Sequence, residues 1–343
     1  MMGLAGAKRN KARRLLTPME IQWARFGLMK SNSRLIAWYD FSDKDLMVNI
    51  DDETGDDIVP TDNIKKVWNK AYTLAGQTGV GGTTNDFSAN ALGRFVFCDA
   101  DANAPSFAVD VTTGAGFLQF DGTNHHLYAQ GGSTAMNERT NFSDATLDSN
   151  TFTMFIACRH TNTAARQSLL VIRDKNGYTT SDIQTIYLEF SNLNVLEAHH
   201  RRATLANDMD IGNADDEKFH YYMYNSWEQY DGALNTETCA LEADGFAQSY
   251  TAPLSELDTT ASLDMDMEFD GRSENIFFGI GCSPGAPGGQ AGPYFQGSIA
   301  EIMIWKECLI GSVEDDTDTW GREAYKDVLE YLHRKYKYIR EKN

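Results

Sequence analysis

A chain of 343 residues with a formal net charge of −19 carries a body that repels phosphate backbones, so nucleic-acid binding by it is not expected. Aromatic residues make up 11% of the chain and 28 glycines stand against 7 prolines, which suits an all-β globular protein and not a disordered one. No apolar run approaches the roughly 20 residues that a membrane-spanning helix needs, so no membrane partner is expected.

In chain order, the charge divides first. Residues 1–34 hold Lys8, Arg9, Lys11, Arg13, Arg14, Arg25, Lys30 and Arg34 against Glu20 alone, a charge of +7 that leaves −26 for the remainder. Pro18 and Glu20 interrupt the stretch where a secretory signal would need unbroken apolar residues, so export is not expected. Thr17-Pro18-Met19-Glu20 has capping-box spacing with proline at the first helical position. Met19, Trp23, Phe26 and Met29 then recur at helical intervals as one apolar stripe. So short a helix is marginal alone in water and must pack on something. The expectation is a basic arm over 1–34. Arg9, Arg13 and Arg14 steer it toward an acidic protein surface, including one on another copy of the chain, and Trp23 and Phe26 anchor it.

The body begins with a strand in Leu35–Asp43 and an acidic solvated loop in Asp51–Asp57. Further strands are expected at Arg94–Cys98, Gly116–Phe120, His126–Ala129, Thr151–Arg159, Ser168–Arg173, Thr185–Phe190, Asn194–His200, Lys218–Trp227, Cys239–Tyr250, Ile276–Ile280 and Ser298–Trp305. Alternation in the last puts Ile299, Glu301, Met303 and Trp305 on one side and Ala300, Ile302 and Ile304 on the other. Ser283–Pro293 reads as a loop within the domain, and Trp320–Arg340 as a closing helix with Tyr325, Val328, Leu329 and Leu332 at helical spacing.

These segments resemble the concanavalin A-like, laminin G-like jelly-roll superfamily. The likeness rests on YFQGSIAEIMIWKECL (Tyr294–Leu309), FLQFDGTNHHLYA (Phe117–Ala129), FTMFIACR (Phe152–Arg159), IFFGIG (Ile276–Gly281), LIAWYDFSD (Leu35–Asp43) and the tryptophan loop Val67–Gly82. It runs from about Leu35 to Tyr338 and implies a fold without any invariant catalytic residue. The fold expected is therefore all-β: a two-sheet antiparallel jelly-roll sandwich over 35–343, with an N-terminal helical arm and a C-terminal helix.

Some glucanases of that superfamily carry E-x-D-x-E or E-x-D-x-x-E on one strand. Here Glu268, Asp270 and Glu274 are one residue too far apart and a Gly-Arg-Ser turn separates them, so catalysis is not expected. Asp264, Asp266, Glu268 and Asp270 alternate on one side of Leu263–Asp270 and form a candidate receptor for a basic arm. The loop Asp208–Glu217 offers Asp208, Asp210 and Asp215 to Ca²⁺, although Phe219 stands where an EF-hand needs its last carboxylate. Neither His125-His126 nor His199-His200 can chelate, because adjacent strand residues face opposite ways. Tyr224, Trp227 and Tyr230 lie in the densest aromatic stretch and are candidates to stack on sugar rings. The five cysteines lack C-x-x-C spacing and are read as free thiols of a protein made in a reducing cytoplasm, with Cys158 and Cys308 as small buried hydrophobes.

The role expected is non-enzymatic: a virion structural protein, a phage capsid decoration or tail-associated component, made in the host cytoplasm and contacting other virion proteins and copies of itself. This follows from the arm, the cytoplasmic character and the use of the fold on virus surfaces. The alternative is a carbohydrate-binding, lectin-like module, and a glycoside hydrolase comes third.

Overall fold

The computed structural model describes residues 35–70, 95–111, 114–130, 152–174, 184–202, 205–211, 219–230, 235–243, 246–253, 276–284 and 290–305, together with Val328, Tyr331 and Lys335. The arm over 1–34 lies outside these residues.

Two large antiparallel sheets form a β-sandwich. The first runs β15 (Phe246–Pro253), β14 (Asn235–Ala243), β13 (His220–Tyr230), β8 (Phe152–His160), β19 (Gln296–Trp305), β6 (Gly116–Asp121) and β5 (Ser106–Val109), with β1 (Leu35–Asp40) paired to β19. The second begins β12 (Leu205–Ile211), β11 (Leu196–Arg202), β10 (Gln184–Phe190), β9 (Gln167–Asp174) and β16 (Ile276–Ile280). It ends β7 (Leu127–Gln130), β4 (Phe95–Phe97), β3 (Ile64–Trp68) and β2 (Met47–Asn49). A two-stranded ribbon, β17 (Ser283–Pro284) with β18 (Gln290–Ala291), occupies the expected loop.

Between the sheets, alternate residues interdigitate: Ala37, Tyr39 and Phe41 beside Met154, Ile156 and Cys158, facing Ile172, Ile186, Leu188 and Phe278. Each fully buried large side chain contributes about 1.5–3 kcal/mol. At one end the sheets are stitched together. The Ile64 amide donates to the Pro105 carbonyl (2.8 Å), the Thr61 amide to Phe107 (2.7 Å), and Asn63 bridges to Ser106.

β8 reads as a continuous apolar run because both its faces are covered. Met154 and Ile156 enter the core between the sheets, while Phe155 and Ala157 join an outer cluster with Trp38, Met303, Trp305, Val328 and Tyr331. Of the helix expected over Trp320–Arg340, the described residues Val328, Tyr331 and Lys335 are helical, and the rest lies outside. Val328 and Tyr331 are buried against the first sheet.

Several expectations change. A register shift between Ile299 and Glu301, a β-bulge, interrupts the alternation of β19. Ile299 therefore joins Ile302 and Ile304 inside, and Ala300 joins Met303 and Trp305 outside. Gly297 sits at φ +153°, and a Cβ there would lie 2.2 Å from the Arg159 carbonyl, so only glycine lets β19 approach β8 this closely. Cys239–Tyr250, read as one strand, is two, β14 and β15. Of the five cysteines, Cys158 and Cys282 are buried free thiols and Cys98 is a partly buried one, while the Cys239 side chain, on β14, and Cys308 lie outside what is described.

The outer face of the first sheet holds a buried ionic clamp. Asp40 and Glu301 stand directly opposite each other on β1 and β19. Two carboxylates so placed repel, and Lys335 bridges them, its Nζ 2.8 Å from Asp40 Oδ1 and 2.9 Å from Glu301 Oε2. Glu301 Oε1 also accepts from Trp38 Nε1 (2.6 Å) and the Tyr331 hydroxyl (2.8 Å), and Lys70 donates to Asp40 Oδ2 (2.9 Å). Burial alone would raise the Asp40 pKa, but the charges of Lys335 and Lys70 and hydrogen bonds from Lys335 and Ser42 hold it far below its ordinary 3.8. Because the folded value is depressed, Asp40 stabilises the fold above pH 3.8 and loses that contribution as pH falls below it.

Lys335→Met leaves two buried carboxylates facing each other and should cost about 3–5 kcal/mol in urea unfolding. Adding Glu301→Gln to that variant should recover part of the loss. If the double variant is no more stable than the single one, charge repulsion is not what Lys335 relieves.

Candidate functional site

The outer face of the second sheet is aromatic. Cross-strand register places Lys66, Phe97, Tyr128, Gly279, Val171 and Tyr187 in one row over β3, β4, β7, β16, β9 and β10. Trp68, Phe95 and Phe277 lie two residues further along their strands on the same face. The rings touch in sequence. Centroids are 5.2 Å apart for Trp68–Phe95, 6.0 Å for Phe95–Phe97, 4.5 Å for Phe97–Tyr128 and 5.8 Å for Tyr128–Phe277. Phe95, Tyr128, Phe277 and Val171 are buried as a floor, while Trp68, Phe97, Tyr187 and Tyr294 remain partly exposed. Lys66 Nζ lies 4.5 Å from the Phe95 ring centroid and covers one end.

Gly279 creates room in this floor. A Cβ there would meet the Phe277 ring at 2.6 Å, Val171 at 2.8 Å and the Cys282 carbonyl at 3.1 Å. The segment that follows β16 thus crosses close to the sheet, tied by Ser168 Oγ to the Cys282 carbonyl (3.2 Å) and by Tyr187 Oη to Ser283 Oγ (3.1 Å). Burial pushes the Cys98 thiol pKa up to about 12 and that of Cys282 higher still, so neither is a thiolate at neutral pH.

Beside the aromatic row, two loops form a polar corner. Asp121 Oδ1 accepts from the amides of Thr123, Asn124 and His125 (2.8, 3.1 and 3.0 Å). Asn124 Nδ2 reaches the Ala102 carbonyl (3.0 Å) and Asn103 Oδ1 (2.9 Å), and Asn103 Nδ2 donates to Asp99 Oδ1 (2.8 Å). His126 is buried here with Tyr294 stacked on its ring at 6.0 Å. Its Nδ1 lies 2.7 Å from the Asn124 carbonyl, which only accepts, so Nδ1 carries a proton. Nε2 is then an acceptor in the neutral ring, 3.2 Å from Asp99 Oδ1 but without a hydrogen bond to it. Burial lowers the His126 pKa below its ordinary 6.5, against the raising influence of the Asn124 carbonyl and Asp99.

The sequence-derived candidates fare unequally. Tyr224 is 1% exposed in the core between the sheets and cannot stack on a sugar, because its strand parity turns it inward beside Tyr222. Trp227 and Tyr230 lie in β13, their side chains outside the described residues. Asp208 and Asp210 are not on a loop: they sit in β12, opposite His199 and Glu197, and Asp215 lies outside the described residues. Among the described residues no group of three or more His, Cys, Asp or Glu side chains is arranged to hold a metal ion. The arm residues Arg9, Arg13, Arg14, Met19, Trp23, Phe26 and Met29, and the acidic set Asp264, Asp266, Glu268, Asp270 with Glu274, all lie outside the described residues. His125 and His126 do diverge, toward Asp121 and Asp99 respectively.

The aromatic face itself was missed in the sequence because its members come from separate segments. The available signal was local, a ring between inward residues in Leu127-Tyr128-Ala129 and the paired Phe277-Phe278, of which Phe278 faces the core.

No protein-family model matches the sequence, and no curated protein matches it. Among solved structures, the chain is similar to the CBM40 of the Ruminococcus gnavus IT-sialidase bound to alpha2,3 sialyllactose, at 17% identity over 56% of this chain and 90% of that one, with a TM-score of 0.35. A native heptameric SAP-like pentraxin from Limulus polyphemus follows at 14% identity, over 59% and 79%, with a TM-score of 0.33. SCLam, a non-specific endo-beta-1,3(4)-glucanase from family GH16, aligns at 10% identity, over 56% and 71%, with a TM-score of 0.30.

Since the folded His126 pKa is depressed, the imidazole is neutral at pH 7 and its contribution to stability is lost as pH falls below 6.5. Proton NMR titration should place His126 below 6.5, and His126→Phe should flatten the stability profile between about pH 6 and 4. A measured value above 6.5 would mean that the Asp99 carboxylate outweighs burial.

Proposed function

We propose that the chain is a non-catalytic carbohydrate-binding sandwich of lectin-like jelly-roll type, with the outer face of the second sheet as its binding surface. The observation that carries this reading is the aromatic floor with its partly exposed rings, Trp68, Phe97, Tyr187 and Tyr294, beside the hydrogen-bonded corner of Asp99, Asn103 and Asn124. A pyranose presents an apolar C–H face and a rim of hydroxyls. Rings with polar tips meet the first, and carboxylate and amide oxygens meet the second.

Catalysis is not part of the proposal. A retaining hydrolase needs an acid and a carboxylate about 5–5.5 Å apart. Register aligns three carboxylates on this sheet, Glu189, Glu197 and Asp210, and the first two are engaged by one guanidinium, Arg166, whose Nη1 contacts Glu189 and lies 3.3 Å from Glu197.

Immobilised oligosaccharides, neutral and acidic, should retain the protein. Tyr294→Ala should weaken that binding about three- to tenfold, the equivalent of losing one aromatic contact of about 0.5–1.5 kcal/mol, with little change in melting temperature. A protein that binds none of the glycans sinks the reading.

A second reading is anchorage to a larger assembly, such as a phage virion, through residues 1–34, and the +7 charge of that segment beside a −26 body supports it. The two readings are compatible, since an anchored module still presents a binding face. Deleting 1–34 should leave glycan binding intact and abolish incorporation into particles. Normal incorporation of the truncated chain would remove the anchoring role.

A further inference from the structure

The geometry points to a second ligand site, on the outer face of the first sheet, where Arg159 takes the carboxylate of a sugar acid and Gln119 and Ser106 take hydroxyls of the same ligand. This site lies on the other sheet from the aromatic surface proposed above and does not depend on it.

Arg159, on β8, is half-buried over two rings. Its Cζ lies 5.2 Å from the Phe219 centroid and 5.8 Å from that of Phe117, and the two rings meet edge to face at 5.5 Å. Gly297 lets β19 approach the Arg159 carbonyl, and register sets Ser298 directly opposite Arg159. The buried Ser298 Oγ accepts from Arg159 Nη2 at 3.1 Å and orients the guanidinium. A guanidinium carries five N–H donors, so one hydrogen bond leaves most of them unspent. Among the described residues no carboxylate lies within ion-pair distance of Arg159, whereas Lys70, Arg166 and Lys335 each meet two. In a body of charge −26 that is the reverse of what casual contact would give.

The rings occupy the faces of the guanidinium and limit its rotation, which leaves its N–H edge for a ligand. That edge matches a carboxylate through two parallel hydrogen bonds. One cation also balances one negative charge, while the acidic body repels a phosphate carrying about two. Neutral hydrogen-bonding groups stand nearby. Ser298, Gln119 and Ser106 follow Arg159 in one cross-strand row over β19, β6 and β5. Gln119 is exposed and Ser106 half-buried. Strand spacing sets Gln119 about 10 Å from Arg159 along the backbone, so their long side chains leave between them room of about one sugar ring. Phe117 and Ala108, opposite each other in the next row on the same face, offer apolar surface to the ring's C–H groups. A carboxylate held at Arg159 therefore brings the hydroxyls of its own sugar toward Gln119 and Ser106.

Calorimetric titration of the whole protein tests this with disaccharides ending in glucuronate, galacturonate or iduronate, each beside its neutral hexose counterpart and beside sodium acetate. At least one acidic disaccharide should bind about tenfold or more tightly than its neutral counterpart and than acetate, with the preference shrinking in high salt. Arg159→Lys keeps the charge but not the fork and should cut that preference about tenfold. Gln119→Ala, at an exposed position, should weaken the acidic disaccharide about two- to fivefold with an unchanged melting temperature. Tyr294→Ala, on the other sheet, should leave the preference intact. Equal affinity for acidic and neutral disaccharides, or a preference that survives Arg159→Lys, overturns the site. Loss of the preference in Tyr294→Ala would put the acid on the second sheet and overturns it as well. Acetate binding as tightly as the disaccharides, or Gln119→Ala without effect, overturns the assignment of a sugar. A preference that depends on Arg159 while neutral glycans go unbound keeps this site and removes the aromatic one.

Discussion

Asp40 and Glu301 face each other across β1 and β19 in a place with almost no water, and what relieves their repulsion holds the first sheet together. β19 is the central strand of that sheet. It pairs with β8 along one edge and with β6 and then β1 along the other. Putting a charge in its middle would be destabilising unless every oxygen were matched, and the matches come from distant places: Trp38 in the same sheet, Tyr331 and Lys335 from the C-terminal region. A fully paired network of this kind is more specific than it is stabilising, since apolar packing of equal volume would hold as well.

The two outer faces thus differ in kind. On the first sheet, Trp38, Phe155, Met303 and Trp305 are covered by Val328 and Tyr331. On the second, Phe95, Tyr128 and Phe277 are covered by neighbouring rings with part of the tract left open. Among the described residues, then, the first outer face is covered from the C-terminal region, and the second is covered in part by its own rings and by Cys282, with a polar corner on loops anchored by the Asp121 carboxylate.

Strand-length apolar runs between turn residues, together with period-two alternation, are enough to place most strands. β16 was placed to the residue, and β8, β9 and β10 to within a residue or so. Where the reading failed, a different physical effect was at work. The bulge at Ile299–Glu301 reverses parity without any mark in the amino-acid pattern. β12 is absent from the expected strands, and Asp208 and Asp210 are expected on a loop, because acidic residues obscure the alternation of Leu205–Ile211. Tyr224 was assigned outward from a run of aromatics in which both faces are buried. The clamp at Lys335 and the aromatic row depend on register between strands far apart in the chain, and register is a tertiary property. Glu301 was visible as an oddity in an apolar strand, but its partners were not.

Lys335 and Asp40 are separated by 295 positions, and among the described residues the strand that pairs with β1 is β19. A nascent chain emerging from the ribosome therefore exposes Leu35, Trp38 and Tyr39 while nearly all of the second sheet is being synthesised. The halves β2–β3–β4–β7 and β9–β10–β11–β12 of the second sheet can each gather progressively, but β16 joins them after residue 280 has emerged; the first sheet cannot close until residue 305 has emerged, nor be clamped until residue 335 has. Contacts so distant make assembly slow and leave an apolar strand open to the wrong neighbours in the interval. The acidic body has a use at this stage that differs from any role in the finished molecule, since like-charged incomplete chains repel one another before their first strand finds its place.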